Sequence, residues 1–257
     1  MIGEARRIYL ATRKKHDQLF NTYLMRPLAS AVVALLARTP ITPNQVTLLN
    51  LGVFVIAAGL FVGLPSWKGA LIAVGVLELS YCLDCADGML ARHKGMASKE
   101  GHLFDFFTDE LKATLLVGAL ALHLYRTGGI GLDLAVWPAG DARFLMVGVA
   151  GVTVVASAIS LTNFVRRPEL SGRAVTVEAY YEAVERPARR SIAGRAAELA
   201  VTFLRFLNHY PSHIWIFALA GRLDALLWMY LGLNLLYLGR GWLGLVIRFG
   251  RPSRPPA

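Results

Sequence analysis

Apolar and polar residues follow one another along this chain in long blocks. Runs of about 20 mostly apolar residues, the length that crosses a bilayer core as a helix, recur at 45–66, 69–91, 102–125, 143–165, 198–220 and 224–247. Each predicts a transmembrane helix. Residues 18–38 instead alternate apolar and polar faces around Arg26 and Pro27, the pattern of an amphipathic helix lying in the membrane interface. The predicted fold class is an all-α membrane protein: six transmembrane helices preceded by an N-terminal interfacial amphipathic helix. The predicted organisation is a cytoplasmic or interfacial segment at 1–44, a six-helix domain at 45–248 and a disordered tail at 249–257. The stretch 166–196, rich in Arg and Glu with Pro168 and Pro187, is the longest polar connection and is expected to form surface helices.

Composition strengthens this reading. Apolar residues make up 55% of the 257 residues and charged residues only 17%, with a mean hydropathy of +0.48, which excludes an ordinary soluble domain. The formal charge of +10 is unevenly placed. Residues 1–44 hold seven Lys and Arg, 92–100 three, 166–205 eight and 240–254 four, whereas the opposite connections hold only Lys68, Arg126, Arg143 and Arg222. By the positive-inside rule both termini face the cytoplasm. The same cations attract anionic headgroups, and no nucleic-acid recognition motif accompanies them, so a nucleic-acid partner is not expected. Arg6, Arg7, Arg13, Lys14 and Lys15 flank only a short apolar patch, which does not make a cleavable signal peptide.

Against that apolar background four carboxylates stand out, in the run Asp84-x2-Asp87-Gly88-x2-Ala91-Arg92-x8-Gly101-x3-Asp105-x3-Asp109. On a helix, Asp84, Asp87, Gly88, Ala91 and Arg92 project from one side, and Gly101, Asp105 and Asp109 do the same on the next. Two helices joined by the polar stretch His93 to Glu100 would be antiparallel neighbours with their acidic stripes face to face. Four carboxylates in a poorly solvated cleft need protons or cations to coexist. Hard divalent ions such as Mg2+ or Mn2+ take oxygen ligands and leave positions for substrate phosphates, so the pattern predicts a two-metal site suited to phosphoryl transfer. Gly88 and Gly101 leave room for a phosphate or nucleotide to approach, and Arg92 offers a fixed positive charge.

This run resembles, at every fixed position, the signature of the CDP-alcohol phosphotransferases, also called CDP-alcohol phosphatidyltransferases, and the layout of most of the chain resembles the class I integral membrane members. The resemblance implies an enzyme of phospholipid biosynthesis in which Asp84, Asp87 and Asp105 are metal ligands. Asp109 would complete the second metal and act as the base toward the acceptor hydroxyl. Gly88, Ala91, Arg92 and Gly101 would line the CDP pocket with Asp84 and Asp87, and Asn44 and Thr47, in Thr42-Pro43-Asn44-Gln45-Val46-Thr47, would help hold the cytidine. It also implies two divalent cations, a CDP-alcohol donor, an alcohol acceptor, release of CMP, and a homodimer in a cytoplasmic-type membrane such as a bacterial inner membrane, with the active site facing the cytoplasm. CDP-diacylglycerol is the favoured donor. The segment Asp17 to Thr47, with Asn21, Tyr23 and Arg26-Pro27, is also similar to transferase domains that use a CDP-inositol donor, which keeps a polar CDP-alcohol as the alternative.

The remaining polar residues divide by position. Lys112 follows Asp105 by seven residues on the same stripe, deeper in the span; it could pair with the carboxylates, bind an acidic acceptor or snorkel. Arg166, Arg167 and Arg205 sit at span ends, where positive-inside bias places cations, yet they could also bind an acceptor or lipid phosphate. Glu78 projects from a different face than Asp84 and suits a helix contact. Cys82 and Cys85 lack the second pair a zinc site needs, and His209 and His213 lack an acidic partner nearby in sequence, so packing is expected for all four. A divalent-cation transporter is the rival class, since acids within membrane helices also line ion paths, and a non-catalytic scaffold leaves the four acids unexplained.

Overall fold

The computed structural model describes residues 2–13, 17–167, 199, 202–204 and 206–250, without the side chains of Ile2 and Arg166. It is nearly all helix: α1 Ile2–Thr12, α2 Arg26–Leu36 entered through a π-type turn at Asn21–Met25, α3 Pro43–Gly63, α4 Trp67–His93, α5 Lys99–Thr127, α6 Arg143–Arg166, α7 Ile214–Leu219 and α8 Leu223–Phe249. A two-residue antiparallel hairpin, β1 Gly129–Ile130 with β2 Val136–Trp137, joins α5 to α6.

Local chemistry sets these limits. Thr42 caps α3 with a capping box, its side chain accepting from the Gln45 amide while the Gln45 side chain accepts from its own, and Pro43 follows in the first turn, where its missing N–H costs nothing. Ser66 and Ser98 cap α4 and α5 by accepting from the amides of Gly69 and Gly101. Gly95, at φ +66°, supplies the left-handed residue that lets the chain leave α4. A side chain at Gly69 would strike the Leu64 carbonyl, so the α3–α4 turn depends on its absence.

Among the described residues four helices are long and apolar enough to cross a bilayer: Pro43–Gly63, Trp67–His93, Arg143–Val165 and Leu223–Phe249. The protein is an integral membrane protein. The 29-residue α5 carries Lys99, Glu100, Asp105, Asp109, Glu110 and Lys112 in its first half, more charge than any of those four helices. The fifth expected helix is not continuous. Residues 206–208 are helical, Tyr210–Ser212 form a 3-10 turn, and the helix restarts as α7. Pro211 lies in that turn, where a residue without an N–H and with a fixed φ interrupts the regular ladder.

Two cores hold the bundle. One, around Phe54, Phe61, Leu77, Leu116, Leu120, Phe144, Ile214, Leu226 and Leu227, joins α3 to α8. The other, around Ile8, Met25, Ala29, Val33, Val46, Ala86, Met89 and Leu90, fastens α1 and α2 to α3 and α4. The second core makes the N-terminal segment part of the helical body. On α2 the buried positions Arg26, Ala29, Ser30, Val33 and Ala34 form one stripe, while Leu28 and Leu35 remain exposed on the other side. Arg26 is buried and ion-paired with Asp17. Burial alone would raise the Asp17 carboxyl, but hydrogen bonding from Asn21 and the charge and hydrogen bond of Arg26 outweigh it and hold it below its ordinary value.

The acid-bearing helices α4 and α5 face each other across a cleft, and α3 packs against both. Its buried Val46, Thr47, Asn50, Phe54, Ala57 and Phe61 give α3 an inward face of its own. The expected surface helices of 166–196 lie, past Arg167, outside the described residues. Of the expected tail, Phe249 belongs to α8 and Gly250 to its end, and 251–257 lie outside the described residues.

Candidate active site

The cleft between α4 and α5 gathers the acids. One carboxylate oxygen each from Asp84, Asp105 and Asp109 lie within 4.8 Å of one another. An octahedral ion with bonds of ~2.1 Å separates its ligand oxygens by roughly 3 to 4 Å, so small side-chain rotations bring these three onto one hard cation. Asp87, one turn further along α4, lies outside this trio but within electrostatic reach of Asp84 and Asp105. Among the described residues, no His or Cys joins the cluster.

Helix α3 arranges the α4 acids from behind. The buried Thr47 hydroxyl donates to Asp87 Oδ2 at 2.7 Å, and the fully buried Asn50 amide donates to Asp84 Oδ1 at 2.8 Å. Ser80 Oγ in turn donates to Asn50 Oδ1 at 2.6 Å. A three-residue step on α3 thus matches a three-residue step on the antiparallel α4. From α5, Lys112 Nζ reaches Asp84 Oδ1 at 2.5 Å and Asp109 Oδ1 at 2.7 Å. The Lys112 side chain is 5% exposed, Asp84 18% and Asp109 51%, so the cleft opens on the Asp109 side.

The other expected pocket residues cluster at the same end. The exposed Arg92 guanidinium lies over Gly88, where a Cβ would stand 3.6 Å from its Nη1. Ala91 is half-buried beside it. At Gly101 a Cβ would stand 3.2 Å from both Asn44 Oδ1 and Ser98 Oγ, so this glycine admits the start of α3 as well as leaving the cleft open. Asn44 is exposed there, whereas the Thr47 hydroxyl is already committed to Asp87. Lys94 Nζ donates to the carbonyls of Thr39 and Ile41 and ties the end of α4 to the loop before α3.

The remaining candidates fall elsewhere. Arg167 is exposed at the end of α6; the Arg166 side chain and Arg205 lie outside the described residues. Both Glu78 carboxylate oxygens are buried with no hydrogen-bond partner among the described residues, and the residue lies within electrostatic reach of Tyr210, which is also near Asp84 and Asp109. Cys82 and Cys85 are free thiols on α4. His209 closes a ring of hydrogen bonds running through Tyr81, Asn21, Asp17, Gln18 and Ser212. His213 packs between Phe206 and Phe217. Asn50, Ser80 and the Tyr81–His209 link were not singled out in the sequence. Asn50 had one local signal, a polar side chain inside an apolar span.

Three carboxylates gathered inside a helical membrane protein suit divalent-cation chemistry on phosphates. The profile described as CDP-alcohol phosphatidyltransferase matches residues 40–239, and the chain belongs to that family. It is a family of phosphotransferases that transfer from a CDP-alcohol to an alcohol acceptor in the membrane and normally use divalent cations. Among curated proteins, none matches the chain.

Proposed function

We propose that the protein transfers a phosphatidyl group from CDP-diacylglycerol to an acceptor alcohol, forming a phosphodiester and releasing CMP, in phospholipid biosynthesis. The observation that carries this is the convergence of the Asp84, Asp105 and Asp109 oxygens. Asp84, Asp87, Asp105 and Asp109 would hold two divalent cations, Mg2+ or Mn2+, which when bound neutralise the diphosphate and the departing CMP. Arg92, Gly88, Ala91, Gly101 and Asn44 line the place for the CDP moiety, with Thr47 contributing through Asp87. The acceptor oxygen bonds to the phosphorus that carries the diacylglycerol, the bond to the CMP oxygen breaks with its electron pair, and Asp109 takes the acceptor proton. The half-exposed Asp109 carboxylate suits that role, because it faces the open side of the cleft. Arg166, Arg167 and Arg205 are the candidates for acceptor or lipid phosphate.

The surrounding architecture is read the same way. Helices α3, α4, α5, α6, the interrupted 198–220 segment and α8 make six passes, as the 45–248 domain. Residues 1–44 lie at the cytoplasmic interface with α2 as the amphipathic helix. Lys and Arg place both termini and the cleft mouth at the cytoplasmic face of a cytoplasmic-type membrane such as a bacterial inner membrane, and the enzyme works as a homodimer.

The deciding experiment incubates purified protein and Mg2+ or Mn2+ with CDP-diacylglycerol or CDP-inositol and a panel of alcohols, and measures CMP. Release from CDP-diacylglycerol is expected. Release from CDP-inositol alone would move the reading to a polar donor. Cation uptake into proteoliposomes without CMP release would favour transport. Transport is disfavoured by α6, which carries no carboxylate, and by α8, whose Asp224 is held by the Ile130 amide and Arg222.

A further inference from the structure

We infer that Lys112 is a resident counter-cation of the acid centre: a positioning residue that ties Asp84 on α4 to Asp109 on α5 and turns their second oxygens toward the bound ion. The inference rests on reading the acid cluster as a metal centre.

Three observations carry it. First, the Lys112 ammonium group sits 2.5 Å from Asp84 Oδ1 and 2.7 Å from Asp109 Oδ1 with its side chain 5% exposed, so two of its three donors are spent on the acids. A snorkelling lysine would run its head to water, and an acceptor-binding one would present it to the open cleft. Second, the backbones of α4 and α5 pack on α3 rather than closely on each other, so the lysine joins the two helices where backbone packing does not. Third, Asp84 Oδ1 also accepts from Asn50. Oδ1 is thus held twice on Asp84 and once on Asp109, which constrains the turn of both carboxylates and keeps Oδ2 of each for an ion.

This arrangement has an electrostatic signature of its own. A fixed positive charge beside a divalent ion repels it, so Lys112 lowers ion affinity while setting ligand geometry. Removing the charge should tighten ion binding and slow turnover, opposite changes that loss of a ligand or of general structural integrity would not produce together.

The test uses full-length protein in nanodiscs. Free Mn2+ is titrated by electron paramagnetic resonance without substrates, and CMP release is measured separately, for wild type, Lys112→Met, Lys112→Arg and Asp105→Asn. Asp105→Asn should weaken Mn2+ binding at least ~100-fold, as loss of a metal ligand predicts. Lys112→Met should bind Mn2+ as tightly as wild type or several-fold tighter, with kcat lowered ~100-fold by misplacement of the ligands and both substrate KM values within about threefold. Lys112→Arg should keep wild-type Mn2+ affinity within about threefold, because its charge remains, and should exceed Lys112→Met in kcat. A Lys112→Met protein with weakened Mn2+ binding, unchanged kcat, or an effect confined to acceptor KM would overturn the inference while leaving the metal centre intact. If Lys112→Met does not fold, loss of Mn2+ binding in Lys112→Arg would overturn it as well. Equal Mn2+ binding by wild type and Asp105→Asn would instead overturn the metal-centre reading, and this inference with it.

Discussion

The Asn50 side-chain amide, 34 residues before Asp84 in sequence, donates to that carboxylate at 2.8 Å from a site with no solvent exposure. Its own carbonyl oxygen accepts from Ser80, so the amide cannot turn without breaking two bonds. One apolar helix thereby fixes a carboxylate on its neighbour.

Asn50→Leu should therefore do more harm than its volume suggests. It removes the donor to Asp84 Oδ1 and leaves the Ser80 hydroxyl only the residue-50 backbone carbonyl, at a cost of about 1–3 kcal/mol. Thermal unfolding in detergent should show a lower midpoint than wild type, and Ser80→Ala, which removes only one neutral bond, should fall between the two. Equal midpoints for Asn50→Leu and wild type would argue against the pairing.

Thr47→Val keeps the side-chain shape and removes the donor to Asp87. A hydrogen bond to a charged group contributes ~1.5–3 kcal/mol, so the Mg2+ concentration needed for half-maximal CMP release should rise ~10-fold or more if Asp87 is a ligand. An unchanged activation curve would remove Asp87 from the metal set.

Asp109→Asn and Arg92→Ala should separate chemistry from binding. The first keeps a cleft able to take CDP-diacylglycerol but has no base for the acceptor proton, so kcat should fall by at least ~100-fold with donor binding preserved. The second should raise donor KM and spare kcat. Near-wild-type turnover in the first, or an unchanged donor KM in the second, would contradict these roles.

Gly101→Ala tests the close approach of α3 and α5. The added methyl meets Asn44 Oδ1 and Ser98 Oγ at 3.2 Å, so it should displace Asn44 and raise the donor KM with little change in midpoint temperature. A wild-type KM would mean that Asn44 takes no part in donor binding.

Asp17 supplies a pH test outside the spans. Its folded-state value is lowered, so its contribution to stability is fully present above the ordinary carboxylate value, ~3.9, and is lost as pH falls through the lowered one. Asp17→Asn should unfold at a lower temperature than wild type near pH 7, because Arg26 loses its partner. The gap should narrow at strongly acidic pH, where wild-type Asp17 is protonated too. A gap independent of pH would show that charge plays no part.

Reading one residue after another was enough for what helices express locally. Spans matching α3, α4, α6 and α8 were visible because a membrane helix satisfies its own backbone and must be apolar over a fixed length. The acidic stripes were visible because a 3.6-residue period sorts side chains by face. The fifth span failed as a continuous helix because hydropathy averaged over 198–220 hides what Pro211 does to the ladder. The caps at Thr42, Ser66 and Ser98 were local too, yet apolar content alone did not draw attention to them.

What lay beyond the sequence was every relationship between helices. The amino-acid order by itself determined that Asp84, Asp87, Asp105 and Asp109 share faces of consecutive helices in an apolar setting, since that follows from backbone period and solvent. Only the tertiary structure decided that α3 would pack against both of those helices, that Thr47 and Asn50 would each take one acid, and that Lys112 would span the cleft. Those pairings depend on the rotation and depth at which separate helices pack, and these are settled by the fit of whole faces such as that of Phe54, Ala57 and Phe61, not by any spacing within one segment.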